Sequence, residues 1–83
     1  MKIKVQVKQK HINKGIQDSV EFCPISHALC DMGHTLPKVY GDGIIDVQGY
    51  MNLQASRSAV RFITKFDKLG KKAVKPFNFI LVW

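Results

Sequence analysis

The sequence contains no apolar run that approaches the roughly 18 residues needed to span a bilayer. Residues 2 to 8 alternate lysine and glutamine with aliphatic side chains, whereas a secretory signal peptide carries an uninterrupted apolar core. Both features argue against a membrane-spanning or exported chain. We therefore expect a protein of the cytoplasm.

Cysteine is also scarce, with Cys23 and Cys30 as the two thiols in 83 residues. Both fall on one predicted short helix, a placement poorly suited to a disulfide framework. Reduced thiols are usual in the cytoplasm. We therefore expect two free cysteines.

Acidic residues are few, because six Asp and Glu stand against thirteen Lys and Arg, giving a net charge of +7. On so small a body this excess creates a positive potential that attracts anions. The charge favours a nucleic acid, a nucleotide or an acidic protein surface as the partner. The alternative interpretation is that the charge only keeps a small protein soluble.

The length of 83 residues predicts a single domain, residues 1 to 83, and the sequence shows no internal repeat or linker. A domain of this size buries only about 60 to 65 per cent of the surface of its unfolded chain. A dimer partner or a bound ligand would therefore add useful stability.

The apolar pattern predicts four strands. Residues 2 to 8 place aliphatic side chains on one face, which is typical of a half-buried strand. Residues 77 to 82 are largely apolar on both faces, which indicates a strand that is central or covered on both sides. Between them, residues 38 to 40 and 44 to 48 flank a glycine-rich turn and predict a hairpin.

Helical signals lie between these strands. Residues 8 to 14 predict one helical turn closed by a left-handed Gly15. Pro24 suits the first position of a short helix, and Gly33 its end. Residues 56 to 69 predict the long helix.

This order of elements indicates an α+β fold. The prediction is a small two-layer sandwich with an antiparallel or mixed sheet of about four strands, one short helix and one long helix. The order also matches the ferredoxin-like arrangement β-α-β-β-α-β.

The long helix has two distinct faces at about 100° per residue. The predicted core face consists of Ala59, Phe62, Ile63, Phe66 and Leu69. The opposite face carries Arg57, Arg61, Lys65 and Lys68. One face is expected to pack, and the other is cationic.

The start of this helix carries the strongest functional signal. Unpaired backbone N–H groups and the positive end of the helix dipole favour a phosphate beside Ser56 and Ser58. Arg57 and Arg61, one turn apart, would hold a pyrophosphate, and Tyr50 is placed to stack on a base or sugar. The predicted anion site comprises Tyr40, Tyr50, Ser56, Arg57, Ser58, Arg61 and Lys65. A solvated basic face with a hydroxyl cap is the alternative.

Residues 23 to 34 read C-x3-H-x2-C-x3-H. On a helix these side chains form one stripe, and at about 1.5 Å per residue the stripe is too long for four ligands to converge on one ion. We therefore predict no metal; the alternative is an adjacent pair completed by His11 or a second subunit. The favoured interpretation of these residues is structural, with the cysteines packed beneath a loop and the histidines solvated or hydrogen-bonded. The stripe faces away from the predicted sheet, and we place His11, Cys23 and His27 at the edge of the ligand pocket or at an oligomer contact.

A nucleophilic thiol is the enzymatic alternative. A cysteine near a helix N-terminus has a lowered pKa, and His27 could take the proton of Cys23. No Asp or Asn in a recognisable register completes the arrangement, so we predict a protein without catalytic activity.

Nucleic acid is a rival ligand, since residues 57 to 75 contain seven cations and one acid, Asp67. Such a surface would follow phosphates with salt-dependent affinity. The strand at 77 to 82 lacks the glycine and aromatic arrangement of an RNA-recognition strand, and no helix-turn-helix register precedes the long helix. Sequence-specific binding is therefore not expected.

Four segments resemble a family of small, mostly uncharacterised bacteriophage accessory proteins. They are KVQVKQ at residues 4 to 9 followed by His11 and Ile12, CPISHAL at 23 to 29, SAVRFITKFD at 58 to 67, and VKPFNF at 74 to 79. Cys30 and His34 fall outside the pattern. The resemblance implies a protein that acts inside an infected bacterium.

Small phage proteins of this kind often inhibit host defence, and the Sequestin and Lockin types are oligomeric sponges for nucleotide immune signals. The similarity to them is one of size, charge and setting. It favours a homo-oligomer that sequesters a nucleotide signal, such as a cyclic ADP-ribose isomer, without a cofactor. A protein inhibitor of a host nuclease or other defence enzyme and a nonspecific nucleic-acid binder are the two alternatives.

Overall fold

A computed structural model describes residues 2–48 and 50–82, and within them the fold is α+β, as the sequence predicts. The strands are β1 (Lys2–Val7), β2 (Lys38–Val39), β3 (Ile44–Val47), β4 (Tyr50–Ala55) and β5 (Phe77–Val82). The helices are α1 (Gln9–Lys14), α2 (Pro24–Asp31) and α3 (Arg57–Leu69), and a 3-10 turn covers Lys71–Ala73.

The five strands of the described chain form one antiparallel sheet in the order β1-β5-β4-β3-β2. The sequence predicts about four strands, and β4 is the strand it misses. Met51 to Ala55 do alternate apolar and polar side chains, but β4 contains no β-branched residue. With β4 added, and with α1 and α2 as separate helices, the element order differs from the ferredoxin-like arrangement. β1 lies at one end of the sheet and β5 beside it.

One face of the sheet is the core face. Paired residues in an antiparallel sheet point to the same side, and the pairs Val5 with Phe79 and Ile45 with Leu53 are all buried. Buried residues of the helices belong to the same cluster: Ile12, Ile25, Ala28, Leu29, Ala59, Phe62, Ile63 and Phe66. The helices therefore cover one face, which makes the predicted two layers.

The opposite face of the sheet is open in the single chain. Lys4 pairs with Ile80 and Lys2 with Val82, and all four residues are exposed. Ile80 and Val82 keep 41% and 40% of their surface accessible. β5 is central, as its sequence indicated, but its second face is not covered.

Helix α2 packs against both β1 and β2, the two ends of the strand order. The sheet must therefore curve around this helix. Beyond β2, the Val39 N–H donates to the Val20 carbonyl at 2.8 Å. The loop before α2 thus bonds to the outer edge of β2.

Helix α3 is oriented by its apolar side. Ala59, Phe62, Ile63 and Phe66 are buried as predicted, but Leu69 is 63% exposed. Leu69 lies at the margin of the apolar stripe and in the last turn, next to Gly70, whose φ of 88° ends the helix. The predicted core face is therefore correct except for its last residue.

Gly15 does not have the predicted left-handed conformation, since its φ is −64° and its ψ is 147°. The need for glycine there is steric. A Cβ on Gly15 would lie 2.6 Å from both Cδ and Cγ of Pro24. Glycine at this position lets the end of α1 approach the start of α2.

The predicted hairpin joins β2 to β3 through a tight turn. The Tyr40 N–H donates to the Ile44 carbonyl at 2.9 Å, and the Gly43 N–H donates to the Tyr40 carbonyl at 3.0 Å. Gly43 has a φ of +89°, and a Cβ there would lie 2.6 Å from Cγ2 of Val60 in α3. The turn therefore needs glycine at position 43 for both conformation and space.

Gly43→Ala is expected to lower the free energy of unfolding by about 2 kcal/mol, because it adds a left-handed alanine and a contact with Val60. Gly41→Ala is the matched control, since a Cβ there meets no described atom within 4 Å. It should change stability by less than about 0.5 kcal/mol. Urea unfolding followed by circular dichroism measures both; equal losses would contradict the role assigned to Gly43.

Candidate functional site

A groove runs between α3 and the segment that leads into β5. We call it the α3 groove; its volume is about 430 Å³. It is lined by Ser58, Arg61, Phe62, Lys65, Ala73, Val74, Lys75 and Phe77. Three residues of the predicted anion site, Ser58, Arg61 and Lys65, therefore meet in one concave surface.

The helical repeat explains why these three side chains share a side. Positions 58, 61 and 65 are separated by three and four residues, so they lie above one another along α3. All three are exposed, whereas Phe62 beside them is 8% exposed and belongs to the core. The polar rim and the apolar floor of the groove thus come from adjacent positions of one helix.

The floor of the α3 groove is aromatic. The rings of Phe62 and Phe77 stack with centroids 4.5 Å apart and an angle of 23° between their planes. Phe77 in turn stacks on Phe79 at 5.7 Å, which continues the aromatic contacts into the core. A flat apolar ring in a ligand would therefore meet an aromatic surface of similar chemistry.

The rim of the α3 groove is cationic. Arg61 and Lys65 come from α3, and Lys75 comes from the segment before β5. The described lining contains no acidic residue. In the sequence Lys75 is only one cation of a basic stretch, because nothing local shows that the chain after Gly70 returns along α3.

The helix start differs from the predicted cap. Ser56 holds the N-cap position, but its side chain makes no capping hydrogen bond in the described structure. Instead the hydroxyls of Ser56 and Ser58 lie 2.9 Å apart and bond to each other. Ser58 therefore presents a hydroxyl at the rim that already has one partner.

Other predicted anion-site residues lie away from this lining. Arg57 is exposed at the start of α3, Tyr50 begins β4 and Tyr40 follows β2. Neither tyrosine borders the groove. The aromatic surface at the site is therefore that of Phe62 and Phe77, which the sequence assigned to the core and to a strand.

His11 is a buried structural residue, with 3% of its surface exposed. Its Nδ1 accepts a hydrogen bond from the Lys8 N–H at 2.8 Å, and its Nε2 lies 2.7 Å from Oδ2 of Asp31. Since Nδ1 is an acceptor, neutral His11 carries its proton on Nε2 and donates it to Asp31. Both ring nitrogens are engaged, and the ring ties α1 to α2.

Asp31 completes this contact. The hydrogen bond from His11, followed by that from Lys10, lowers the pKa of the Asp31 carboxyl from 3.8 to about 2. Lys10 Nζ lies 3.0 Å from Oδ2 of Asp31, although both side chains are half exposed. The carboxylate therefore stays charged throughout the neutral and mildly acidic range.

The Cys and His stripe is divided by the structure. Cys23 occupies the N-cap position of α2 but is only 4% exposed and belongs to the core. Its Sγ accepts a hydrogen bond from the Ser26 N–H at 3.5 Å. The prediction that Cys23 faces away from the sheet is therefore wrong, because the N-cap side chain turns under the first turn of the helix.

Burial also reverses the expected reactivity of this thiol. Desolvation raises the pKa of Cys23 above its ordinary value, and the hydrogen bonds with Ser26 only partly offset that effect. A lowered pKa, on which the nucleophile alternative rested, is thus contradicted.

The other described residues of the stripe do not form a metal-binding group with Cys23. His27 is half-buried, and its Nε2 is buried without a hydrogen-bond partner among the described residues. Cys30 is exposed. Within residues 2–48 and 50–82, no three His, Cys, Asp or Glu side chains are grouped closely enough to hold a metal ion.

Comparisons of the chain with protein-family models, curated proteins and solved structures gave no match. Among the described residues, no helix is both long enough and apolar enough to cross a membrane. The geometry and charge of the α3 groove are therefore the features that bear on function.

Asp31→Asn is expected to destabilise the protein near pH 7, because it removes the charged acceptor of His11 and Lys10. The pKa of this carboxyl is depressed in the folded state, so its contribution is complete above the unfolded value of 3.8 and is lost as the pH falls through about 2. Urea unfolding at several pH values should show the difference from the unsubstituted protein shrinking over that range. A difference that is the same at every pH would contradict the assignment.

Cys30 should react with iodoacetamide at least about tenfold faster than Cys23 in the folded protein, because a buried thiol with a raised pKa is both protonated and shielded. Time-resolved mass spectrometry of the two cysteine peptides measures this, with Cys30→Ser isolating the slow site. In concentrated urea the two rates should converge. A Cys23 that reacts as fast as Cys30 before unfolding would restore the nucleophile hypothesis.

Proposed function

We propose that this protein is a non-enzymatic binding protein that holds a small nucleotide in the α3 groove. One observation supports it above the others: an aromatic floor from Phe62 and Phe77 lies beside three cations, and the described lining holds no carboxylate. A nucleotide combines a flat ring with phosphate charge. The groove offers a complementary surface to each part.

The residues of the rim would contact the phosphates of such a ligand. Arg61 presents a planar guanidinium suited to two phosphate oxygens, and Lys65 and Lys75 add point charges at the same rim. The Ser58 hydroxyl lies at the helix start, where the dipole also favours negative charge. The base or sugar would rest on the edge of the phenylalanine pair.

The chemistry of the lining supports binding without turnover. Its described residues include no His, Cys, Asp or Glu, the groups that most often serve as general acid, general base or nucleophile. This composition is consistent with a groove that binds an anion without cleaving it. In this proposal the protein therefore sequesters its ligand.

The biological setting comes from the sequence resemblance. The segment at residues 58 to 67 provides Ser58, Arg61, Phe62 and Lys65, and the segment at 74 to 79 provides Val74, Lys75 and Phe77. Two of the four segments that resemble small phage accessory proteins therefore line the groove. In this proposal the protein acts in the cytoplasm of an infected bacterium, where it withdraws a nucleotide immune signal from a host defence system.

Assembly would complete the site. The groove is open on one side, and ligand pockets commonly form where subunits meet. A second copy placed over the rim would exclude water from the phosphate contacts and strengthen them. The proposal therefore includes a homo-oligomer.

Arg61→Gln is expected to weaken nucleotide binding by about tenfold or more, since a charged hydrogen bond to phosphate contributes about 1.5 to 3 kcal/mol. Calorimetric titration with cyclic ADP-ribose isomers and cyclic dinucleotides measures the affinity. Lys68→Gln is the matched control: Lys68 is exposed on the same helix and lies outside the described lining. Its substitution should leave the affinity within about twofold.

Three results would overturn the proposal. No heat with any nucleotide removes its main support. Binding of a DNA or RNA oligomer that weakens equally in both variants, and falls steeply with salt, indicates a nonspecific nucleic-acid binder. Recovery of one stoichiometric host enzyme from nuclease-treated lysate, with no nucleotide bound, indicates a protein inhibitor.

A further inference from the structure

A second groove follows the free edge of β1, on the side away from β5. We call it the β1 groove; its volume is about 490 Å³. Lys4, Gln6 and Lys8 line one wall, and Ala28, Asp31 and Met32 of the α2 region line the other. Lys4 and Gln6 belong to the open face of the sheet, whereas Ala28 belongs to the core side. One groove can include both only by passing along the strand edge between them.

The edge of β1 is suited to accept another strand. β1 is six residues long and pairs with β5 on one side, so alternate backbone N–H and C=O groups point to the other side. At the opposite end of the sheet, β2 is two residues long and its edge bonds to Val20. Of the two edge strands, β1 is therefore the one long enough to offer a row of backbone N–H and C=O groups to an added strand.

The charges around the β1 groove favour an acidic occupant. Lys4, Lys8 and Lys10 stand against one acid, Asp31, which is already bonded to Lys10 and His11. The uncompensated charge therefore comes from Lys4 and Lys8 at the strand edge. An acidic side chain on an added strand would lie opposite them.

The second wall supplies apolar contact. Ala28 is 1% exposed and Met32 is 44% exposed. Methionine adapts its shape to varied partners because it is unbranched and flexible. An extended peptide alternates its side chains between two faces, so one face would meet Met32 and the other the lysines.

We infer that the β1 groove is a docking site for an acidic, extended segment of another protein, which adds to the sheet as a strand beside β1. Peptide-binding domains commonly use this mode, in which backbone hydrogen bonds provide affinity and flanking pockets provide specificity. A second copy of this chain is a poor occupant. Pairing two β1 edges would bring Lys2, Lys4 and Lys8 of both copies together, and like charges in cross-strand positions are destabilising.

The test uses a fluorescent octapeptide of alternating glutamate and valine, with alternating lysine and valine as the charge control. Fluorescence anisotropy with the full-length protein should show binding of the acidic peptide and none of the basic one. Two further peptides carry N-methyl groups, one on every glutamate and one on every valine. Because only alternate N–H groups of an added strand face its neighbour, one methylated set should abolish binding and the other should preserve it.

Protein variants locate the site. Lys4→Glu should weaken binding of the acidic peptide about fivefold or more, because it replaces an attraction by a repulsion at the edge. Lys14→Glu makes the same charge change on an exposed residue of α1 that lies outside the described lining of the β1 groove. It should weaken binding by less than about twofold. Circular dichroism confirms that both variants are folded.

Several outcomes would overturn the inference. They are no binding of the acidic peptide, equal binding of both methylated peptides, or equal effects of the two substitutions. Competition by an oligothymidylate that also depends on Lys4 would assign the groove to nucleic acid instead. The α3 groove takes no part in this peptide binding, so Arg61→Gln should leave it unchanged. A failure of one proposal can therefore be distinguished from a failure of the other.

Discussion

Burial of a single face of the five-stranded sheet is the constraint on which the other features of this structure depend. The aliphatic and aromatic residues of the paired strands point to one side, and the helices supply the opposing surface. With both layers contributing one apolar side each, every helix must turn its charged side to solvent. The basic stripe of α3 is exposed for this reason, whatever ligand it meets.

Both grooves lie at the margins of the helical layer that covers the sheet. The α3 groove forms where the chain after Gly70 returns along the helix, so that Phe77 reaches Phe62 and Lys75 joins Arg61. The β1 groove forms where α2 and the curved sheet leave a strand edge between them. Their floors differ, since one is aromatic and the other is a backbone edge. We accordingly propose a different partner for each surface, a small ringed anion for the α3 groove and an extended acidic chain for the β1 groove.

The sequence predicts those features that repeat along one element. The alternation of residues 2 to 8 and the stripe of α3 are each internal to a strand or helix, and both are confirmed except for Leu69 at the end of the stripe. Features that depend on contact between distant segments were missed or misread. Lys75 reaches Arg61 only through the path of the chain, and Gly15 is needed because Pro24 approaches it.

The position of β5 has a consequence for how the chain folds. β5 pairs with β1 on one side and β4 on the other, so the last strand joins the first strand to the remainder of the sheet. Contacts between strands so far apart in the sequence close a large loop and are slow to form. During synthesis on the ribosome, β1 is made first and stays unpaired until its partner β5 has emerged. Lysines along an exposed strand discourage its pairing with another copy, and the alternating lysines of β1 suit that role in the nascent chain.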